Sequence, residues 1–106
     1  MVDIRISLRT LEFEADGHAR SGEYGKDLIC CAVSTLVHTL VCNMEVAQER
    51  GELQYLNEEI RDGHVYIMPH PYSWSLQNIV TIYRAIREGL RALAEQYEQY
   101  IRLEEE

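Results

Sequence analysis

The apolar residues of this chain change period twice, in the same order each time. Val2, Ile4, Ile6 and Leu8 alternate with Asp3, Arg5 and Ser7, and Leu11, Phe13 and Ala15 alternate with Glu12 and Glu14. A period of two turns one side of a strand to a core and the other to water. The break at Arg9-Thr10 makes a hairpin the natural connection, although its turn chemistry is weak. From Leu28 to about Gln48 the period becomes helical, with Ile29, Val33, Leu36, Leu40 and Met44 in register and Val37 and Val41 beside them. So broad a stripe predicts a largely buried helix. Asp27 is placed to cap its start and Gly51 to stop it.

The cycle then repeats. Leu53 to Pro69 reads as a second hairpin turning at Asp62-Gly63, with Pro69 and Pro71 ending its second strand. Ser73 or Ser75 caps a last helix with apolar residues Leu76, Ile79, Val80, Ile82, Tyr83, Ile86, Leu90, Leu93, Ala94, Tyr97 and Ile101. Glu104-Glu105-Glu106 reads as a frayed tail. The expected fold is α+β, in the order ββαββα, with an antiparallel sheet carrying two helices on one face. Residues 1–106 are expected to form one domain.

Charge narrows the function. With 10 basic and 18 acidic residues the formal net charge is −8, which leaves no material for a phosphate-binding patch and excludes direct nucleic-acid binding. Such a body favours encounter with cationic partners. No apolar run approaches the ~18 residues of a membrane span. Met1-Val2-Asp3-Ile4-Arg5 leads straight into the first strand without a signal peptide, and the three cysteines are expected to be reduced thiols in the cytoplasm.

The chemistry-bearing stretch joins the two patterns. Glycines at 17, 22 and 25 punctuate a loop that carries His18, and Cys30-Cys31 follow in the first turn of the long helix. Unpaired N–H groups and the helix dipole favour an anion there, which lowers a thiol pKa and raises the thiolate fraction. His18 is the nearest base in sequence, and twelve residues let the loop fold back to the helix start. The same N–H groups suit an oxyanion, so the stretch fits acyl transfer by a thiolate. The glycines suggest a loop that closes on substrate, with residues 17–26 more mobile in its absence.

The run Gly17-His18-Ala19, then Tyr24-Gly25-Lys26-Asp27-Leu28-Ile29-Cys30-Cys31-Ala32-Val33-Ser34, resembles the signature of the ribosomal-processing cysteine protease family, Prp. That signature is a Gly-His-Ala triplet, a short glycine-containing loop, then Gly-x-Asp-Ile-Val-Cys-Ala-Ala-Val-Ser. The likeness extends more loosely to Gly89-Leu90 and Tyr97. It implies a small, homodimeric, cytoplasmic endopeptidase that needs no cofactor. Its partner would be the precursor of a large-subunit ribosomal protein, from which it removes an N-terminal extension. His18 and Cys30 fall on the family's catalytic positions, and Asp27 and Ser34 on positions given supporting roles. Cys31 departs from the pattern, which has Ala after the nucleophile. This second thiol is inert in the core or pairs oxidatively with a neighbour.

Other groupings carry less. Cys31, His38 and Cys42 share one side of the long helix, but residues 31 and 38 stand about 10 Å apart along its axis, so no metal site is expected. His64 and His70, with Pro69, Pro71, Tyr72 and Trp74, flank the second hairpin as ordinary surface residues or as the lining of a groove or dimer seam. The alternative to a protease is a non-catalytic dimeric ribosome-assembly or binding module with Cys30 buried in its core. A redox sensor built on Cys30-Cys31 is disfavoured, because adjacent cysteines in a helix bond only with strain.

Overall fold

A computed structural model describes residues 1–17 and 28–106, with residues 28–30 placed as helix backbone only. The elements are β1 (Val2–Ile6), β2 (Phe13–Gly17), α1 (Leu28–Glu49), β3 (Leu53–Arg61), β4 (His64–Pro71), α2 (Leu76–Gln96) and β5 (Ile101–Glu105). They build an α+β fold on an open five-stranded sheet of order β3-β4-β2-β1-β5.

Strand register explains the core. Ile4 lies opposite Ala15, Ile6 opposite Phe13, and Phe13 in turn opposite Ile67, so their side chains share one face. Both helices cover that face: Val37, Leu40 and Met44 of α1 and Ile79, Tyr83, Ile86 and Leu90 of α2 are buried with these strand residues in one cluster. The helices approach closely at Gly89, where a β-carbon would stand 3.1 Å from a Leu36 methyl. The other face of the sheet is polar, with Arg5 paired to Glu14 and Arg102 to Asp3.

The β1–β2 turn is made by a residue the sequence did not advertise. The Ser7 hydroxyl accepts the N–H groups of Arg9 and Thr10, and Leu11 takes φ +67 to re-enter the sheet. At the end of α1, Gly51 takes φ +74 while its N–H donates to Gln48 and that of Glu52 to Ala47, the bonding of a Schellman stop.

Several expectations are corrected. The last helix ends at Gln96, not near Ile101, and the acidic tail is not frayed. Ile101–Glu105 runs parallel to β1, so the sheet is not wholly antiparallel. The pairing buries Ile101 beside Val2, and Glu106 exchanges backbone bonds with Ile6 and Leu8.

Pro69 lies inside β4, and the strand ends at Pro71, two residues beyond the expected limit. They oppose Leu56 and Leu53, and the two-residue turn from Arg61 to His64 makes such alternate positions non-hydrogen-bonded toward β3. Their missing N–H groups would point past the end of β2, whose pairing with β4 stops at Phe13–Ile67.

Helix α1 is half buried. Cys31, Thr35, Thr39 and Asn43 are exposed, and the last three donate to the carbonyls four residues back. Ser75 stands at the N-cap of α2 without capping it; its hydroxyl turns to the carbonyls of Glu52 and Tyr72.

Candidate active site

Strand β2 and helix α1 lead into the two ends of the histidine-bearing segment. Gly17, the last residue of β2, has φ +98, and a β-carbon on it would lie 2.5 Å from the Met1 carbonyl oxygen. Glycine is therefore required by both backbone conformation and space. Its N–H donates to Gly63 at 2.9 Å, which ties the end of β2 to the β3–β4 turn. Gly63 itself has φ +72, as the tight turn at Asp62-Gly63 demands.

A cleft of about 300 Å³ opens between these elements. Val33, Ser34, Val37, His38 and Val41 of α1 form one wall, and the hairpin tip from Ile60 to Val65 forms the other. Ala15 and Gly17 close it beside the sheet. The valines are apolar and buried or nearly so, while Ser34, His38, Asp62 and His64 bring polar groups to the rim. An apolar slot with a few polar groups at its edge suits an extended chain segment.

The candidate residues divide as follows. His18 and Asp27 lie outside the described residues, as does the loop between them. Cys30 is the third residue of α1, one turn before the cleft-lining Val33 and Ser34. Helix α1 begins at Leu28, where the sequence placed it. Ser34 is exposed on the cleft wall. Cys31 is not a core residue: it is exposed and lines an open groove on the outside of α1 with Thr35, His38 and Cys42. Ser34 and His38 form the ridge between that groove and the cleft.

Of the two readings the sequence left for His64, a surface residue or the lining of a groove, the structure favours the second by bringing it to the cleft. Its Nδ1 lies 2.5 Å from a carboxylate oxygen of Asp16, the residue directly across the β2–β4 pair. Glu14, Asp16 and His64 hold ligand atoms within 4.8 Å of one another, the only such group among the described residues, and Glu14 is also paired with Arg5. No motif spacing signals this pair, because cross-strand register alone creates it. His70 is on the strand's far end, where it stacks on Tyr55 with ring centroids 3.8 Å apart. Tyr72 and Trp74 stack on one another at 6.1 Å. Among the described residues no helix is long and apolar enough to cross a membrane.

Comparison with known proteins places the fold. The fold is shared along the whole chain with a structure described as an essential ribosomal processing protease Prp from S. aureus with a covalently linked product peptide, at 23% identity, 100% coverage of both chains and a TM-score of 0.78. The same protease with a substrate peptide matches at 22% identity, again over both whole chains, with a TM-score of 0.71. SMU.848 from Streptococcus mutans is 28% identical, over 98% of this chain and 90% of its own, with a TM-score of 0.65. No curated relative matches the sequence. The family model described as cysteine protease Prp matches residues 1–102. The chain therefore belongs to the Prp family of cysteine proteases.

Proposed function

We propose that this protease removes the N-terminal extension from the precursor of a large-subunit ribosomal protein, with Cys30 as nucleophile and His18 as its base. The observation that carries the reading is the position of Cys30 in the first turn of α1, one turn before Val33 and Ser34 on the wall of a cleft that Ala15 and Gly17 of the strand leading to His18 close beside the sheet. Helical periodicity puts position 30 on the same face as cleft-lining positions 33, 34 and 37. The S. aureus relatives carrying a substrate peptide and a covalently linked product peptide support the same use of the fold.

His18 takes the proton from the Cys30 thiol, and the thiolate attacks the scissile carbonyl. The free N–H groups at the start of α1 receive the developing oxyanion. His18 then protonates the leaving amine, and water activated by the same imidazole hydrolyses the thioester. Asp27 and Ser34 support this dyad, Asp27 as the first-turn acid and Ser34 from the cleft wall. The chain works in the cytoplasm as a homodimer, as the resemblance implies, and its charge of −8 speeds encounter with a basic ribosomal precursor.

Alkylation tests the nucleophile. Iodoacetamide should label Cys30 well below the ordinary thiol range near pH 8.5. Peptide mass spectrometry separates that label from the exposed Cys31 and Cys42 on the same helix. A Cys30 that reacts no faster than these two across the pH range contradicts an activated thiolate.

A further inference from the structure

We infer that the Asp16–His64 pair is a positioning device for the catalytic histidine; the inference rests on the His18/Cys30 reading above. The last two residues before His18 are each fastened to the tip of the β3–β4 hairpin. Asp16 is held through its side chain by His64 at 2.5 Å, and Gly17 through its backbone by Gly63 at 2.9 Å. Beyond Asp16–His64 the β2–β4 ladder has no further residue pair. These two bonds therefore set the direction in which the chain leaves the sheet.

The two partners are unequal. The His64 side chain is only 11% exposed, whereas that of Asp16 is 50% exposed. His64 is thus fixed by its surroundings, and Asp16 is the group it holds. A carboxylate can only accept, so Nδ1 carries the proton of this bond. A bond to a half-exposed carboxylate adds little to stability, so its value lies in its position. His18 follows Asp16 by two residues and is bonded directly to Gly17. The direction in which the chain leaves Gly17 bears on the residue bonded to it, and a displacement of about 1 Å can cost a catalyst on the order of a hundredfold in rate. The hairpin tip that does the holding also forms the cleft wall, so peptide seated there bears on the same anchor.

The test is steady-state cleavage of the extended ribosomal-protein precursor by the full chain and its variants. His64→Ala is expected to lower kcat by about tenfold or more while KM changes little. His64→Asn, which keeps a donor near the Nδ1 position, should restore most of that loss. Asp16→Ala should match His64→Ala, and the double variant should be no slower than either single one. Thermal midpoints should stay close to that of the parent chain. A His64→Ala variant with unchanged kcat, a loss confined to KM, or a defect that His64→Asn does not restore would overturn the positioning role alone. A parent chain that leaves the precursor whole overturns the dyad reading and this inference with it.

Discussion

A β-carbon on Gly17 would stand 2.5 Å from the carbonyl oxygen of Met1, at the point where β2 ends. Real side chains do not tolerate that approach, and φ +98 is strained for any residue but glycine. Gly17→Ala is therefore expected to cost at least about 2 kcal/mol in chemical denaturation. Because the neighbouring residue is His18, activity should fall further than the lost stability explains. An alanine variant with the parent's midpoint and rate would show that this crowding is absent in solution.

Glu58 gives the fold a pH dependence of definite sign. It lies on the helix side of β3, and burial first, then the Glu45 carboxylate of α1, pushes its carboxyl above the ordinary 4.5. The folded chain thus binds this proton more tightly than the unfolded one. The resulting stability is full below the ordinary carboxyl value and is lost as pH rises through the elevated one. Glu58→Gln should consequently be more stable than the parent at pH 7, with the advantage vanishing near pH 4. Urea midpoints measured from pH 4 to 8 check this, and equal midpoints at pH 7 would contradict it.

Tyr83 is fully buried in α2, and its hydroxyl finds no partner among the described residues. Burial, with Tyr66 a lesser cause, holds the phenol far above its usual range, so it stays neutral at any working pH. Tyr83→Phe removes an unpaired polar atom while keeping the ring that fills the core. The substitution should be neutral or stabilising by up to about 1 kcal/mol. A loss of similar size would mean that the hydroxyl has a partner.

Ser75 joins the start of α2 to the α1–β3 connection. It is 2% exposed, and its hydroxyl lies 2.5 Å from the Glu52 carbonyl and 3.1 Å from that of Tyr72. Ser75→Ala should cost about 1 kcal/mol, because the Glu52 carbonyl loses its shorter donor and keeps only the 3.4 Å bond from the Tyr72 N–H. A helix-capping role would make Asp or Asn an adequate replacement; the tie to Glu52 predicts that both fail, since neither ionised Asp nor the longer Asn places a donor there. Denaturation midpoints of the three variants separate the two roles.

The legible parts of this fold are those with local causes. Alternation located β1 and β2, helical spacing located the buried residues of both helices from Val33 onward but wrongly included the exposed Leu76, and Gly51 marked the end of α1. What escaped depends on partners distant in sequence. Ile101 and Leu103 are too few to declare a strand until Val2 and Ile4 lie beside them, and three glutamates read as solvent-seeking until Ser7 and Arg9 take up Glu106. Pro69 looked like a strand breaker because only the ladder reveals which N–H groups it does without. The exposed face of α1 escaped because Thr35, Thr39 and Asn43 satisfy themselves on their own helix. At the site, the helix boundary placed Cys30 from sequence alone. The bond from His64 to Asp16 spans 48 residues and exists only because β4 adds to β2.

The central claim is that His18 and Cys30 together cut a ribosomal-protein precursor. The most direct test is incubation of the chain with the extended precursor from its own organism, with the products mapped by mass spectrometry. The account predicts a single internal cut that releases the N-terminal extension, lost in both Cys30→Ala and His18→Ala and kept in Cys31→Ala. Processing that persists in both of the first two variants would contradict it.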